Sequence, residues 1–336
     1  MQTKGQADYV HLMAQDYLDV ALRAYMERLA SKRRKWSAVE PEESPERWPA
    51  TALILDTETT TDPSQRLNFG CARYCRWTDD QKLLCVREEL FYADDLATRN
   101  PAGLRALRHY ALRHKAEVPA KVTTQLTLSS ARDFVDGSFL RAAYGAKALV
   151  AGFNLPFDLS RFARSASEAT TAGYERGFSF LLFEWESKPG TFLEHKYRPR
   201  ILIKHIDSKR ARIKFAARRR GKDETKEAAR YPGRFLDLRT LGFALTNESY
   251  SLASACEDFG VENGKQKVEK HGLITDGYID YNRNDVRATQ QLLEKMRAEF
   301  DHHPIKLDPC KAFSPASIAK AYLRGMGSIP PKRLNG

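Results

Sequence analysis

The sequence has no long apolar run and no apolar core near its first residues. Its longest apolar run, around Phe178 to Phe183, is far shorter than the roughly 18–20 residues that a membrane-spanning helix needs. The first residues are polar and lack the apolar core of a signal peptide. Of the 336 residues, 42% are hydrophobic and 29% are charged, which excludes a wholly disordered chain. We therefore expect a soluble intracellular protein with no membrane partner.

Cysteine is also scarce. A chain of this length with five cysteines does not have a disulfide framework. Cys71 and Cys75 form one CxxxC spacing, but a zinc site of this kind needs a second pair, and none matches it. The sequence thus favours reduced core thiols over zinc. It also has no internal repeat and no low-complexity tract.

Positive charge is in excess and is concentrated in one stretch. The chain has 55 Lys and Arg against 43 Asp and Glu, a net charge of +12. Residues 201–235 alone hold 12 Lys and Arg against 4 Asp and Glu. Such an excess favours a polyanion as partner, because displaced counterions drive association with phosphates. A solvated basic loop would give the same pattern, and charge alone does not choose between the two.

The hydrophobic pattern predicts an α/β fold preceded by a separate N-terminal segment. Apolar residues at helical spacing predict an amphipathic helix within residues 8–30, and a proline-bearing linker follows to residue 48. Strands are then predicted at Ala50–Leu55, from Leu67 to Arg73 and from Leu83 to Phe91, and three strands in succession indicate an antiparallel meander.

Strands and helices alternate in the rest of the chain. In chain order, the pattern predicts a helix from Pro101, a helix after Ser130, a strand at Ala148–Phe153, a helix from Pro156, a basic hairpin at 200–216, a strand at Arg234–Leu238 and a helix at Asn284–Phe300. This order predicts a mixed sheet flanked by helices. The boundaries that follow are an N-terminal helix and linker (1–48), a central domain (49–302, with the basic insertion at about 200–230) and a C-terminal tail (303–336).

Acidic residues recur at the ends of these elements. Asp56 and Glu58 end the first strand, and residues two apart in a strand point to the same face. Asp158 follows the next strong strand, and Asp285 opens the last predicted helix, with Tyr281 one helical turn before it. Each alone has an ordinary explanation, a strand-end turn or a helix cap. Their occurrence in order on the expected elements favours one shared site.

Four converging carboxylates repel one another, and a divalent cation removes that cost. Oxygen ligands suit Mg²⁺ or Mn²⁺ and do not suit zinc. Two such ions roughly 3.5–4 Å apart stabilise both the attacking and the leaving oxygen of a phosphodiester displacement. The residues therefore predict two Mg²⁺ or Mn²⁺ ions held by Asp56, Glu58, Asp158 and Asp285.

With these motifs the sequence resembles the DEDD-type 3′→5′ exonucleases over roughly residues 50–300. The family motif DxE matches Asp56 and Glu58, Nx(2–3)(F/Y)D matches Asn154, Phe157 and Asp158, and YxxxD matches Tyr281 and Asp285. The tyrosine makes it similar to the subclass found in the proofreading domain of family-B DNA polymerases. The resemblance implies a ribonuclease-H-like fold, and a 3′→5′ exonuclease that releases nucleoside monophosphates from single-stranded or frayed DNA ends.

The resemblance also implies roles for single residues. Asp56, Glu58, Asp158 and Asp285 would hold the metals, and Tyr281 would orient the attacking water. Thr59, Asn154 and Phe157 would contact the terminal nucleotides, with a core aromatic as the alternative role for Phe157. A basic residue before the third motif, Lys265 or Lys267, would neutralise the scissile phosphate. The basic segment is not part of the family pattern. Because it has much positive charge and few apolar residues, we expect it to be a mobile arm whose Arg218, Arg219 and Arg220 contact the phosphate backbone, with a solvated loop or a protein-docking arm as the alternatives.

Other parts of the chain depart from the family pattern. Residues 314–323 resemble the entry into the polymerase portion of some family-B enzymes, but no polymerase carboxylate motif follows. Two other functions stay open: a non-catalytic nucleic-acid-binding module, and a nuclease subunit that is active only in a larger assembly, with the N-terminal helix or C-terminal tail binding a protein partner. RNA is the alternative substrate. We expect a cytoplasmic or nucleoid-associated location.

Overall fold

The computed structural model describes residues 48–119, 125–218, 221–222, 224–262 and 272–327. The predicted N-terminal helix and nearly all of its linker lie outside this part of the chain. Trp48, at its start, is buried and packs edge-on against Phe300, with ring centroids 6.0 Å apart.

The order of the elements is as follows. The strands are β1 (Thr51–Thr59), β2 (Leu67–Trp77), β3 (Leu83–Tyr92), β4 (Thr127–Ser130), β5 (Leu149–Gly152), β6 (Ser165–Glu168), β7 (Phe178–Leu181), β8 (Glu184–Lys188), β9 (Thr191–Glu194), β10 (Ile201–His205), β11 (Ala211–Phe215) and β12 (Arg234–Asp237). The α-helices are α1 (Leu96–Arg99), α2 (Pro101–Arg113), α3 (Ala131–Phe134), α4 (Leu155–Arg161), α5 (Lys226–Ala229), α6 (Leu238–Thr246), α7 (Leu252–Asp258), α8 (Asp276–Asp301) and α9 (Pro315–Gly325). Two π-helical turns (Val135–Phe139 and Arg141–Gly145) follow α3, and a 3₁₀ turn (Pro309–Lys311) precedes α9.

β1 lies inside the main sheet, whose strand order is β12-β5-β1-β2-β3-β4. Its apolar residues Ala52–Leu55 are fully buried, as expected for a strand covered on both faces. β2 pairs with β1 and β3 in an antiparallel manner, which confirms the predicted meander. β5 and β12 are parallel to β1, so their carboxyl ends lie at the same edge of the sheet as that of β1.

Helices cover this mixed sheet. α8 packs on β1 and β2, α4 packs on β1, β5 and β12, and α6 and α7 pack on α8. The predicted mixed sheet flanked by helices is therefore confirmed. Within the described ranges, no helix is both long and apolar enough to cross a membrane.

The last long helix begins earlier than the sequence predicted. α8 starts at Asp276, where the Thr275 hydroxyl accepts a hydrogen bond from the backbone N–H of Tyr278. Asp285 consequently lies in the third turn of α8 and does not open the helix. The prediction was wrong because Thr275 is an N-cap, so the helix begins at Asp276, eight residues before the expected start at Asn284.

The basic segment forms part of a second sheet, with strand order β11-β10-β7-β6. The predicted hairpin is present, because β10 and β11 pair in an antiparallel manner. Ile201, Ile203 and Phe215 of this hairpin are at most 2% exposed. The mobile arm expected from the scarcity of apolar residues is therefore wrong for β10 and β11. Cross-strand pairing gathers those few residues into one buried patch, although they lie apart in the sequence.

The segment after α8 packs against the same core. Ile305 and Leu307 are buried, and Ile318 on α9 is fully buried. α9 packs on α6. The described part of the predicted C-terminal tail is thus attached to the domain, and residues 328–336 lie outside the described residues.

Candidate active site

Asp56 and Glu58 lie at the carboxyl end of β1, on the same face of the strand. The side-chain amide of Asn282 on α8 donates a hydrogen bond of 2.6 Å to Asp56 Oδ2. The Tyr278 hydroxyl, one turn earlier on α8, donates to Glu58 Oε2. α8 thus places one hydrogen-bond donor against each of the two carboxylates.

The backbone around these carboxylates is irregular. A β-bulge between Glu58 and Thr59 shifts the register with β2, and such bulges change the direction in which neighbouring side chains point. On β2, Gly70 lies opposite Thr57. A Cβ at Gly70 would lie 2.6 Å from the Asp56 carbonyl oxygen, so glycine is required for the two strands to approach this closely.

Asp158 contacts β1 beyond the end of its pairing with β5. It lies in the first turn of α4 and accepts hydrogen bonds at Oδ1 from the Thr57 hydroxyl (2.7 Å) and the Thr57 N–H (3.1 Å). Because side chains alternate along a strand, the Thr57 hydroxyl points away from the face that carries Asp56 and Glu58. Asp158 therefore lies at the same end of β1 as Asp56 and Glu58.

A second carboxylate, Asp237, holds the turn that leads into α4. Asn154, the N-cap of α4, adopts a left-handed backbone with φ of 69°. The N–H groups of Asn154 and Leu155 donate to Asp237 Oδ1 at 2.9 and 3.1 Å. Oδ2 of Asp237 accepts from Thr240, so one buried carboxylate joins the starts of α4 and α6.

Tyr281 and Asp285 lie one turn apart on α8 and form a hydrogen bond with each other. Burial raises the pKa of the Tyr281 phenol well above its usual value, and the negative charges of Asp285, Glu58 and Asp56 raise it further. The phenol is therefore protonated at neutral pH. Residues 278, 281, 282 and 285 share one face of α8, and Tyr278 and Asn282 on that face contact Glu58 and Asp56, so Tyr281 and Asp285 are turned toward the same carboxylates.

Burial also raises the pKa of Asp158. The hydrogen bonds from Thr57 counteract this shift, while the charges of Asp237 and Glu58 add to it. For Asp237, burial likewise raises the pKa, against the hydrogen bonds that it accepts from Thr240, Leu155 and Asn154. The region around α4 is thus rich in buried carboxyl groups that destabilise one another in the ionised form.

A buried ion pair holds α8 on the sheet. Its member on α8 is Arg283, which lies between Tyr281 and Asp285 in the sequence. Arg283 donates to both carboxylate oxygens of Glu88 on β3, each at 2.9 Å. Its remaining donors reach the Tyr110 hydroxyl (2.8 Å) and the Lys115 carbonyl (3.0 Å). The two side chains of the pair are 8% and 0% exposed. This pair sets which face of α8 is turned toward β1.

The donor chemistry of the predicted metal ligands fits an oxygen-preferring divalent cation. Asp56, Glu58, Asp158 and Asp285 offer carboxylate oxygens, the ligands that Mg²⁺ and Mn²⁺ prefer. In the part of the chain that the structure describes, no group of three or more Asp, Glu, His or Cys side chains is arranged as a ready coordination cage. Asp56, Glu58 and Asp158 instead accept hydrogen bonds from Asn282, Tyr278 and Thr57, respectively.

The predicted nucleotide contacts have different outcomes. Thr59 ends β1 at the bulge, and Asn154 and Phe157 lie on the α4 side of the site. Phe157 is only partly buried, and the guanidinium of Arg161 lies 4.5 Å from its ring centroid. Lys265, Lys267, Arg219 and Arg220 lie outside the described residues.

Arg218 is held away from the phosphate role that the sequence suggested. Its guanidinium forms an ion pair with Glu224, and its Nε donates to the Tyr144 hydroxyl at 2.9 Å. Only 7% of its side chain is exposed. The positive charge of Arg218 is therefore part of an ion pair within the protein.

Sequence reasoning missed the residues that support the carboxylates. Thr57, Tyr278 and Asn282 donate to the predicted ligands, and Asp237 and Arg283 fix the elements that carry them. One signal was present for Asp237, which ends a predicted strand as Asp56 does. No nearby sequence pattern identifies the other supporting residues, because the side chains that they contact are distant in the chain.

A comparison with models of known protein families finds no match for this chain, and a search of curated proteins finds no significant one.

Proposed function

We propose that this chain is a metal-dependent 3′→5′ exonuclease with a ribonuclease-H-like fold. It would hydrolyse phosphodiester bonds at single-stranded or frayed DNA 3′ ends and release nucleoside monophosphates. The observation that carries the proposal is the meeting of Asp56, Glu58, Asp158, Tyr281 and Asp285 at the carboxyl end of β1 from three distant segments.

The four carboxylates would hold two Mg²⁺ or Mn²⁺ ions, which when bound stabilise the charge on the attacking and leaving oxygens. Tyr281 stays protonated, so it orients the attacking water through hydrogen bonding and does not act as a base. The water oxygen forms a bond to phosphorus as the bond from phosphorus to O3′ breaks. The products are a nucleoside 5′-monophosphate and a strand shortened by one nucleotide with a free 3′ hydroxyl.

The chain's own donors orient the carboxylates during this reaction. Asn282 donates to Asp56, Tyr278 to Glu58 and Thr57 to Asp158. Such contacts fix the direction of ligand oxygens and are typical of the residues behind metal ligands. Catalysis here rests on positioning and charge, because hydrolysis of a phosphodiester needs no covalent intermediate with the protein.

The test uses single-stranded DNA and RNA oligonucleotides of the same sequence, labelled at the 5′ end, with Mg²⁺, Mn²⁺ or EDTA. We expect a ladder of progressively shortened labelled DNA with either metal and an intact strand with EDTA. The Asp56→Ala/Glu58→Ala variant should lose this activity and remain folded, because it removes two mutually repelling carboxylates.

The matched control is Asp79→Ala/Asp80→Ala, which removes the same charge from an exposed turn at the opposite end of the sheet. This variant should degrade DNA like the unchanged protein. Equal degradation by both double variants would refute the proposal and point to a contaminating nuclease. Binding of the strand without any cleavage would indicate a nucleic-acid-binding module instead.

A further inference from the structure

A cleft with a volume of about 570 Å³ lies beside the carboxylates, between α4 and one face of the second sheet. Its lining includes Asn154, Phe157 and Arg161 from the α4 side and Phe178, Ile203 and His205 from the sheet. Ligand pockets in proteins measure roughly 300–1,000 Å³, so the cleft can accept a group of the size of a nucleotide. Its lining residue Phe157 directly precedes Asp158 on α4.

The sheet wall of the cleft is aromatic and exposed. Phe178 and Phe180 lie two apart on β7, and their rings are stacked with centroids 5.6 Å apart and planes inclined by 17°. Ile203 is the register partner of Phe178 on β10. Phe178 is 51% exposed, so its ring faces open space while Phe180 beneath it is buried. A large apolar ring in this position is available to stack on a planar ligand.

The opposite wall combines an aromatic ring with a fixed positive charge. The Arg161 guanidinium lies over the Phe157 ring, and its Nε and Nη2 donate to the Ser160 hydroxyl at 3.0 and 2.9 Å. Its Nη1 donates to the Gln65 carbonyl at 2.5 Å. Arg161 is therefore held at the mouth of the cleft and is not a freely moving surface cation.

The charge of the cleft is complementary to a nucleic-acid strand. No acidic residue occurs among the described residues that line it, and Arg161 and His205 are its basic groups. Asp158 directly follows the lining residue Phe157 in the chain, but its carboxylate accepts a hydrogen bond from Thr57. Aromatic faces with a basic edge are the usual means by which proteins bind single strands without regard to sequence.

We propose that this cleft binds the single-stranded part of the substrate next to the scissile phosphate. A base stacks on Phe178, and Arg161 contacts the adjoining phosphate. This inference rests on the proposed exonuclease function, which supplies the reason for a strand to reach the α4 edge. It adds two determinants of strand binding: Phe178, on a strand that none of the three acidic motifs includes, and Arg161, three residues after Asp158 on α4.

The test measures binding of a short fluorescein-labelled oligo(dT) in EDTA by fluorescence anisotropy, so that cleavage does not interfere. Phe178→Ala should weaken binding by about 5- to 150-fold, the range for loss of one stacked base. Phe178→Tyr keeps a ring and should retain the affinity of the unchanged protein. Phe192→Ala is the matched control, because Phe192 is 45% exposed on β9 and does not line the cleft. It should leave binding and cleavage unchanged.

Arg161→Gln should weaken binding and reduce the slope of log affinity against log salt by about 0.7, the value for one phosphate contact on a single strand. Oligo(U) should lose affinity on Phe178→Ala to the same extent as oligo(dT), since stacking does not involve the sugar. Thermal melting of each variant checks that the fold is retained.

The outcomes separate the two proposals. Unchanged binding by Phe178→Ala, or equal loss in Phe178→Ala and Phe178→Tyr, overturns the cleft as a stacking site even if the unchanged protein degrades DNA. Binding that depends on Phe178 in a protein that degrades no DNA supports the cleft and refutes the exonuclease.

Discussion

The buried pair of Arg283 and Glu88 allows a quantitative test of how α8 is held. Arg283→Met keeps most of the side-chain length and removes the guanidinium. Glu88 then keeps the N–H of Glu117 (2.7 Å) as a hydrogen-bond donor but loses both contacts from Arg283. Since Glu88 is fully buried in this pair, water does not replace the lost partner.

The expected cost is large because a charge is left buried without its partner. Breaking a buried pair by removing one member typically costs about 3–5 kcal/mol. At roughly 2–4 °C per kcal/mol for a domain of 150–250 residues, Tm should fall by about 6–20 °C. The control is Arg113→Met, which breaks an ion pair with Asp276 whose side chains are 58% and 47% exposed. Exposed pairs contribute about 0–1 kcal/mol, so this variant should melt within a few degrees of the unchanged protein.

The pH dependence of the unfolding free energy should also depend on the pair of Arg283 and Glu88. Burial alone would raise the pKa of Glu88, but the hydrogen bonds and charge of Arg283, with the charge of Arg73, lower it below its usual value. The pair therefore contributes stability above the pKa of an unfolded glutamate and loses it as the pH falls through the lower, folded value. In Arg283→Met the pKa of Glu88 rises, so the folded variant takes up a proton more readily than its unfolded form.

The difference in unfolding free energy between the two proteins should consequently be largest near pH 7 and shrink as the pH falls toward 4. Urea unfolding at several pH values, followed by circular dichroism, measures it. Glu88→Gln in the Arg283→Met background should recover part of the loss at pH 7, because it removes the unpaired charge. If Arg283→Met is no less stable than Arg113→Met at pH 7, or if the deficit grows on acidification, the reasoning is refuted.

Three further predictions concern single groups at the site. Tyr281→Phe should slow DNA degradation with Mg²⁺ by about 10- to 100-fold in single-turnover assays, because water loses one orienting hydrogen bond while all carboxylates stay; a variant as inactive as the double carboxylate variant would contradict this. Asp237→Asn should lower the unfolding free energy by about 1–3 kcal/mol in urea titrations, because its amide nitrogen cannot accept the hydrogen bonds that a carboxylate oxygen accepts; unchanged stability would contradict the capping role. Gly70→Ala should lower the unfolding free energy by about 1–3 kcal/mol, because its Cβ would lie 2.3 Å from Phe91. Gly277→Ala, whose Cβ would have no atom within 4 Å, should leave stability nearly unchanged. Equal melting temperatures of the two variants would argue against this steric explanation.

The elements that carry the motifs could be predicted because their signals are local. Residues two apart in β1 share a face, and residues four apart in α8 share a face, so short spacings already fix which side chains project together. The strand before Asp56 was evident from its apolar run, and the helix after Asn154 from Pro156. The start of α8 was missed because Ile279 is the only aliphatic side chain before Val286 and only Thr275 marks the cap.

The second sheet could not be predicted in the same way. Burial of Ile201 and Ile203 depends on pairing with Phe180 and Phe178 of β7, and no short spacing in the sequence reveals that pairing. From its positive charge, the segment was expected either to face solvent or to bind a polyanion. In the structure, Arg218 instead pairs with Glu224 and contacts Tyr144, which is 74 residues away in the chain.

The same reason explains why the supporting residues of the site were missed. The bond from Thr57 to Asp158 spans 101 residues, that from Arg283 to Glu88 spans 195, and that from Asn282 to Asp56 spans 226. Each exists only because the strand order places β1 between β5 and β2 and lays α8 across them. A motif can identify candidate catalytic side chains, because the spacing that brings them to one face is set within a few residues. Their orientation is set by contacts between elements, and these follow from the topology of the sheet.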